Sequence, residues 1–278
     1  MENLLIPPLK NRPCYLLSFI TIKVNYMKAN MKRRTTLVLV IFLKMTFINA
    51  QLPSRYLELG AGLGAYVYQG DLTPSSIGSF KTMKTGVYLF ANKILSSNFS
   101  FRLNLAIAGL KGDESKYSKP EYRQQRNFAF KTPVIELAGL AVWDIRGNNF
   151  NRTKGIFSPY LFTGGGLSFL NIKPDSSRFN AEYFSGNSDV VTGLAIDAQK
   201  KLPRVQPFIP VGVGFRYELS DRVAINTETT YRFVFTDYLD GFSYSANPKL
   251  DDHYLSQTVG VIYKLGKKNS WSCPKVKF

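Results

Sequence analysis

From residue 56 onward, apolar and polar positions alternate with a period of two over unusually long segments. In residues 99–110 the even positions are mainly Ser, Arg, Asn and Ala, whereas the odd positions include Phe99, Phe101, Leu103, Leu105 and Ile107. Successive side chains of a strand point to opposite faces, so this period indicates β-strands. It predicts eight strands, at residues 56–68, 83–93, 99–110, 129–145, 159–170, 206–219, 223–236 and 253–265. All exceed or match the roughly 9–11 residues that a tilted strand needs to cross a bilayer.

Two of these segments depart from simple alternation. In the fourth, Glu136 and Asp144 share a face with large apolar residues, which predicts a β-bulge near Gly139. In the fifth, the glycines at 164–166 leave both faces ambiguous.

The polarity of the two faces predicts a barrel that is polar inside and apolar outside. The less apolar face carries Gly, Ser, Asn and charged residues that recur from strand to strand. A lipid-facing Arg or Lys near the bilayer centre costs ~2–4 kcal/mol, so these charges are expected to face the interior. We predict a lumen charge network, nearly balanced in sign, made of Glu58, Lys84, Arg102, Glu136, Arg216, Glu218, Glu228, Arg232 and Lys264.

Aromatic residues fit the lipid-facing side of the same barrel. They form 14% of the chain, and several lie toward strand ends, where outer-membrane barrels carry interfacial aromatic girdles. We expect girdle positions at Tyr66, Phe99, Trp143, Tyr217, Tyr231 and Tyr263. A soluble lipocalin-like barrel with partly polar contents is the alternative.

The lengths of the connections predict the orientation of the barrel. Strands two and three, and strands six and seven, are joined by tight turns at 94–98 and 220–222. Four connections are long, at 69–82, 111–128, 171–205 and 237–252. Outer-membrane barrels have short periplasmic turns and longer external loops. The sequence therefore predicts an all-β, eight-stranded antiparallel up-and-down transmembrane barrel with both termini in the periplasm.

The first fifty residues are expected to lie outside this fold. Residues 31–50 begin with a basic stretch, continue with an apolar run and end in Ala50, which is typical of a secretory signal peptide. Residues 1–30 precede this complete signal, which indicates a start codon placed too early. The barrel is then expected at residues 51–265, followed by a periplasmic tail at 266–278.

Charge and cysteine content narrow the classes of function. The chain has 36 Lys and Arg against 19 Asp and Glu, but residues 1–50 hold eight of the basic residues and one acidic residue. The net charge falls from +17 for the whole chain to +10 for the exported part. The remaining basic residues do not cluster on a helix, which argues against nucleic-acid binding. Two cysteines and one histidine exclude a disulfide scaffold and Cys-rich or His-rich metal centres.

The exported part resembles a known group of barrels. The segments that carry the resemblance are YLELGAGLGAYVYQGDL at 56–72, NFAFKTPVIELAGLAVWDI at 127–145, SPYLFTGGGLSF at 158–169, FIPVGVGFRYELSDRVAINTETTYRFVFTDYLDGFS at 208–243, and the ending CPKVKF. They are similar to the OmpA-like eight-stranded outer-membrane barrels common in Bacteroidota, and more closely to PorG-type barrels of the type IX secretion and gliding machinery. The resemblance implies an accessory role, anchoring periplasmic secretion proteins to the outer membrane, and it brings no catalytic motif.

The C-terminal tail is a candidate docking segment for such proteins. After the last strand, GKKNSWSCPKVKF interleaves basic and apolar residues, and Pro274 keeps it out of a helix interior. A basic, aromatic and extended segment suits an acidic partner surface. We expect partner contacts at Lys267, Lys268, Trp271, Lys275, Lys277 and Phe278. A disordered tail or a displaced assembly signal is the alternative.

A catalytic site is not expected. Some small outer-membrane barrels are lipid hydrolases that use His, Ser and an acid, and His253 is the one histidine. His253 and Ser256 point to opposite faces of a strand, so they cannot form a catalytic dyad unless a bulge intervenes.

The sequence gives equally little support for a site that binds metal ions or nucleotides. Acidic residues in the last long connection could bind Ca²⁺, but their spacing matches no dedicated calcium loop, and solvated loop acids are expected. These residues are Asp237, Asp240, Asp251 and Asp252. A nucleotide-binding loop requires a helix after its glycines, and none follows the glycines at 60, 62, 64 and 164–166. These glycines are expected to allow close backbone approach or to make room for neighbouring side chains in the barrel.

Two non-enzymatic functions and one enzymatic function remain open. The first is an accessory barrel of the secretion machinery, and the second is a structural or adhesive barrel that acts through its external loops. A lipid-modifying enzyme is a distant third. We expect no enzymatic activity, cofactor or metal, and we expect outer-membrane lipid and periplasmic secretion proteins as partners.

Overall fold

The computed structural model of the protein describes residues 56–75, 78–186, 188–247 and 252–266. Its strands are β1 (Leu57–Gln69), β2 (Lys84–Ile94), β3 (Phe99–Asp113), β4 (Ala129–Asp144), β5 (Phe157–Leu170), β6 (Lys173–Asp175), β7 (Val205–Glu218), β8 (Val223–Val234) and β9 (His253–Lys264). The connections contain helices α1 (Tyr122–Arg126) and α2 (Ser188–Gln199), and 3₁₀ turns at Phe80–Thr82 and Glu114–Lys116. None of the described helices is long and apolar enough to cross a membrane.

The eight long strands close into an antiparallel barrel. Each long strand pairs with the next along the chain, and β1 also pairs with β9, which closes the ring. The short strand β6 continues the line of β5 on β4 in the same register, after a break at residues 171–172. This confirms the predicted eight-stranded up-and-down barrel, with every predicted strand end within three residues of the observed one.

The aliphatic face of each long strand points outward. On β3, Phe101 and Leu103 are 46% and 53% exposed, whereas Arg102 between them is 3% exposed. Exposed Leu, Ile, Val and Phe side chains recur in the same way around the whole ring. An apolar surface of this extent on a closed barrel is the surface of a membrane-spanning barrel.

The interior of β4 differs from the expected arrangement. The predicted bulge near Gly139 is wrong, because β4 pairs with β3 in one unbroken register from Ala129 to Trp143. Val134, Glu136 and Leu140 are all buried on the inner face. An eight-stranded barrel is narrow enough for side chains to fill it, so large apolar residues inside do not require a change of face.

The aromatic girdle contains five of the six residues expected there. Phe99, Trp143, Tyr217, Tyr231 and Tyr263 lie on the outer face, and four of them are 39–53% exposed. Tyr66 was expected there too, but it is 1% exposed and lies inside, with its ring 5.2 Å from the Arg232 guanidinium. The alternation of β1 explains this position, because side chains at even-numbered residues of β1 point into the barrel.

The two ends of the barrel differ in the length of their connections. The turn end carries residues 95–98, 145–156 and 219–222, and the loop end carries 70–83, 114–128, 171–204 and 235–252. Described parts of the long connections fold against one another over the mouth. Their apolar core includes Leu72, Phe128, Leu239 and Phe242, and Phe128 stacks on Phe242 with ring centroids 4.3 Å apart. We call this folded layer the cap.

Candidate functional site

The lumen near the turn end is filled by a connected group of charges. Arg216 lies 3.1 Å from carboxylate oxygens of both Asp144 and Glu218, and 3.7 Å from Glu58. The Lys264 ammonium donates to Glu218 at 2.6 Å. All five side chains are at most 5% exposed. They come from strands β1, β4, β7 and β9, so the group ties opposite walls of the barrel together.

Two further ion pairs cross the middle of the lumen. Arg102 donates to Glu228 at 2.5 Å, and Arg232 donates to Glu136 at 2.8 Å. Each carboxylate also accepts a hydrogen bond from a tyrosine hydroxyl. Tyr160 donates to Glu228 at 2.5 Å, and Tyr254 donates to Glu136 at 2.9 Å. Buried charges are tolerated only when they are paired and hydrogen-bonded, and these pairs meet both conditions.

The structure brings eight of the nine predicted network residues together in the lumen. Glu58, Arg102, Glu136, Arg216, Glu218, Glu228, Arg232 and Lys264 are each at most 6% exposed. Asp144 belongs to the network and was not assigned to it, because its apolar neighbours on the inner face pointed to a bulge.

Lys84 does not belong to the lumen. It is the first residue of β2 and is exposed. Lys84 still pairs with Tyr66 on β1, but pairing between β2 and β3 begins only at Gly86, so the ladder does not hold Lys84 on its β3 side. Its side chain instead lies beside the outer face of β3, where a Cβ added to Gly109 would be 3.6 Å from the Lys84 Cβ.

Aromatic rings and glycines close the remaining space. A Cβ on Gly60 would lie 2.2 Å from the Phe90 ring, and one on Gly212 would lie 2.2 Å from Phe162. Gly60 and Gly212 therefore make room for rings that cross the lumen, as expected for Gly60. Gly164 allows the close approach of the Gly139 backbone, whereas Gly165 has open space beside it. The cavity left beside Tyr66, Tyr88 and the two central ion pairs measures about 20 Å³, close to the size of one water molecule.

A buried carboxylate organises the cap. Glu114 is fully buried and accepts from both ends of the Arg126 guanidinium, at 2.6 Å from Nη2 and 3.0 Å from Nε. Arg123 donates to the same carboxylate at 3.1 Å and also to the carbonyl oxygens of Asp71 and Thr73. Arg126 Nη1 also donates to the Ser245 carbonyl oxygen at 3.4 Å, so three of the long connections are fixed to one another.

Helix α2 is attached to the last long connection in a similar way. The Asp197 carboxylate accepts from the backbone N–H groups of Ser243, Tyr244 and Ser245, at 3.0–3.2 Å, and from the Ser245 hydroxyl at 2.6 Å. Gly193 allows the close approach, since a Cβ there would lie 2.3 Å from the Tyr244 carbonyl oxygen.

An acid pair lies where the cap meets the barrel. The Tyr68 hydroxyl is 2.7 Å from Asp240 Oδ2 and 2.5 Å from Asp252 Oδ1, and both carboxyls are fully buried. One hydroxyl has one proton to donate, so the second short contact requires a proton on one of the two carboxyls. The expectation that these aspartates are solvated loop acids is therefore wrong, because the cap covers them.

The environment of this acid pair favours the protonated form. Burial raises the pKa of Asp240 well above its usual range, and burial together with the neighbouring Asp240 does the same to the pKa of Asp252. Burial also raises the pKa of Asp71, nearby in the cap, to about 6. The described residues contain no group of three or more acidic, His or Cys side chains arranged to hold a metal ion.

The candidate catalytic pair is separated as its spacing predicted. His253 lies on the outer face, with its ring 5.6 Å from those of Tyr231 and Phe233, and its Nδ1 accepts from the Val234 N–H. Ser256 is buried inside and accepts from Arg232 at 2.8 Å. These two side chains cannot act together.

Several expectations fall on residues outside the described part of the chain. They concern the signal peptide at 31–50, the upstream residues 1–30, and Asp251. They also concern the tail contacts expected at Lys267, Lys268, Trp271, Lys275, Lys277 and Phe278.

Sequence reasoning missed the buried charges of the cap. Glu114, Arg123, Arg126 and Asp197 all lie in connections, where no periodicity distinguishes a buried charge from a solvated one. The one available signal is the spacing of Arg123 and Arg126, which places both guanidiniums on one side of a helical turn.

Comparison with known proteins gives a family and a set of similar folds. A family model described as "Domain of unknown function (DUF6089)" matches residues 33–273. A search of curated proteins found no match.

Among solved structures, the chain is similar to Neisserial surface protein A, with 14% identity and a TM-score of 0.44 over 75% of this chain and 97% of that one. The outer membrane protein OprG of Pseudomonas aeruginosa is 10% identical, with a TM-score of 0.41 over 76% and 96% of the two chains. Ail, the attachment invasion locus protein of Yersinia pestis, is 10% identical, with a TM-score of 0.39 over 75% and 98%.

Proposed function

The chain belongs to the DUF6089 family, and from that premise we propose that it is a non-conducting outer-membrane barrel that anchors periplasmic parts of a protein secretion machine. Both termini then lie in the periplasm and the cap lies outside the cell. The proposal assigns no catalysis to the barrel.

The observation that carries the proposal is the closure of the lumen. Ion pairs cross it at the turn end and in the middle, aromatic rings fill the space between them, and the cap covers the mouth. A barrel closed at three levels offers no path for a solute. Its function therefore depends on surfaces outside the lumen, namely its wall, its cap and the chain that follows β9.

The resemblance to PorG-type barrels supports the choice among those surfaces. It implies contacts with secretion proteins on the periplasmic side, where the turn end and the C-terminal tail are expected. The tail beyond Gly266 combines four lysines with Trp271 and Phe278, which suits an acidic partner surface.

The orientation is tested by labelling with a membrane-impermeant maleimide in a Cys273→Ser background. Ser185 is exposed in the connection between β6 and α2, and Asp221 is exposed in a tight turn at the opposite end. We expect Ser185→Cys to be labelled on whole cells and Asp221→Cys only after the outer membrane is broken. The reversed pattern would refute the proposed orientation.

The anchoring role is tested by photo-crosslinking in intact cells. A photoreactive amino acid at Trp271 is expected to capture a subunit of the secretion machinery, whereas the same group at Ser185, exposed at the opposite end of the barrel, captures none. Deleting residues 267–278 is expected to abolish copurification of that subunit while the barrel still inserts. Unchanged copurification would exclude the tail, and failed insertion would show that the tail serves assembly.

A second candidate is an adhesive surface barrel, and the order of the cap favours it. Buried Glu114 and Asp197 hold the long connections in one arrangement, which presents exposed aromatic side chains such as Tyr183 and Tyr244 on a fixed surface. Cell-binding assays with Tyr183→Ala and Tyr244→Ala test this candidate. Lost adhesion with intact secretion would favour it over the anchor.

A further inference from the structure

A row of lysines runs along the outer surface of the barrel near the loop end. Lys111 on β3 is directly opposite Lys131 on β4, and Lys131 is directly opposite Lys173 on β6. All three belong to the outward-facing set of their strands, and Lys131 and Lys173 are exposed. Lys84, beside Gly109 on the outer face, extends the row toward β2. We call these four residues the lysine row.

The height of the lysine row places it just beyond the apolar belt. On β3 the outward residues from Phe99 to Ile107 are apolar, Gly109 follows, and Lys111 comes next. Strands rise roughly 3.3 Å per residue, so Phe99 and Lys111 are about 40 Å apart along the strand. With a strand tilt of about 40°, this is about 30 Å along the barrel axis, against an apolar band of about 25 Å. The lysines therefore lie at the level of lipid headgroups on the loop side.

The charges of the lysine row are poorly compensated within the described part of the chain. Like charges directly opposite on neighbouring strands are destabilising. Lys111 has a carboxylate partner, Asp113, at 3.4 Å, and Asp113 is shared with Arg178 at 3.3 Å. Among the described residues, Lys84, Lys131 and Lys173 form no ion pair. A cleft of about 350 Å³ opens beside them, and its charged lining consists of four basic side chains, Lys111, Lys131, Lys173 and Arg178, and two acidic ones, Asp113 and Asp175.

The row is confined to one side of the barrel. At the loop end of β8 and β9 the outward positions are Tyr231, Phe233, His253 and Leu255, which carry no lysine. A general affinity for anionic membranes does not require four lysines in one sector. Their alignment on adjacent strands is the arrangement that would receive a bound anion.

We propose that the lysine row binds the phosphate groups of one phosphorylated glycolipid in the leaflet on the loop side. The row crosses three strand spacings of about 4.8 Å, or about 14 Å, which suits a headgroup with phosphates at two separated positions. The acyl chains of such a lipid would lie along the exposed aliphatic side chains of β3 and β4. A glycolipid as occupant rests on the proposed external position of the cap, whereas phosphate recognition does not.

The test uses the full-length barrel in nanodiscs of zwitterionic phospholipid doped with bisphosphorylated lipid A, with bound lipid counted by native mass spectrometry. The variant carries K84Q, K111Q, K131Q and K173Q. A matched control carries K116Q, K119Q, K154Q and K201Q, four exposed lysines outside the row. We expect at least about tenfold weaker lipid A binding for the row variant and less than about twofold for the control. Replacing all four row lysines by arginine is expected to retain binding.

Three outcomes would overturn the proposal. Equal losses in the row variant and the control would mean that net charge alone attracts the lipid. Binding of fully dephosphorylated lipid A as tight as that of the phosphorylated form would exclude phosphate recognition. Full competition by millimolar inorganic phosphate would mean a free phosphate site. Both leaflets of the nanodisc have one composition, so an inverted orientation in cells would leave this result unchanged and would appear only in the cysteine labelling.

Discussion

The lumen and the acid pair beneath the cap bury carboxylates in opposite ways. In the lumen, Glu136 and Glu228 each lie against an arginine and a tyrosine. In the acid pair, Asp240 and Asp252 share Tyr68, and no Lys or Arg of the described chain lies within ion-pair distance of them. Each of these lumen carboxylates therefore has a cation of the protein beside it, whereas the acid pair depends on a proton. The first arrangement suits a permanent support, and the second makes the junction with the cap sensitive to pH.

The largest expected effect comes from removing one cation of the lumen. Arg232→Ala leaves Glu136 buried without its partner, which should lower the free energy of unfolding by about 3–5 kcal/mol. Urea unfolding in detergent micelles, followed by the gel-mobility shift of the folded barrel, measures this loss. Arg222→Ala in an exposed tight turn is the matched control and should change it by less than about 0.5 kcal/mol.

The double variant Arg232→Met with Glu136→Leu sharpens this test. Replacing both partners by apolar residues leaves no unpaired charge and should restore most of the stability. Equal losses for Arg232→Ala and Arg222→Ala would contradict the view that the pair supports the lumen.

A smaller and more local effect is expected in the cap. Arg126→Ala removes the two-sided contact with Glu114, worth about 2–3 kcal/mol for hydrogen bonds between charged groups. Proteolysis should then cut within residues 114–128 much faster, while the barrel keeps its folded mobility on gels. Arg204→Ala, an exposed arginine before β7, should leave cleavage unchanged. Global unfolding of Arg126→Ala would mean that cap and barrel form one cooperative unit.

The acid pair predicts that the stability of the cap depends on pH. A carboxyl whose pKa is raised by folding binds more protons in the folded state, so the folded state loses stability as pH rises above the unfolded value of about 3.9. Asp71 adds to this loss between its ordinary value and about pH 6. Hydrogen exchange of residues 237–247, corrected for the intrinsic rate, should therefore show a less protected cap at pH 8 than at pH 5.

Asp240→Asn should weaken the dependence of cap stability on pH, because an amide has nearly the same shape as a carboxyl but does not titrate. An amide nitrogen in place of Oδ2 can donate to Tyr68, while the remaining oxygen still accepts from the Phe242 N–H. The variant should be more protected than the original protein at pH 8 and should show a smaller change with pH. Asp189 is an exposed acid on α2, so Asp189→Asn serves as the control. It should leave the change of hydrogen-exchange protection with pH as it is in the original protein.

The same contrast explains what the sequence could predict. A period of two locates strands and assigns faces, so the barrel and most of the lumen charges follow from it. It failed at Lys84, where the pairing of β2 with β3 has ended, and at Asp144, where apolar neighbours suggested a bulge. The cap joins residues far apart in the chain, such as Tyr68 and Asp240, which are separated by 172 positions. Contacts of that range leave no local pattern, so the burial of its acids became visible only in three dimensions.

The smallest expected effect is on ion conductance. It tests directly whether the lumen or the cap closes the barrel. Planar bilayers containing the protein should show no steady conductance of porin size, because the lumen is closed both by its ion pairs and by the cap. Asp240→Ala should loosen the cap at its junction with the barrel, yet the current should stay at zero, since Arg102, Arg232 and Arg216 still cross the lumen below it. A current that appears with Asp240→Ala would show that the cap alone closes the barrel. A steady current through the unaltered protein would contradict the closed lumen itself.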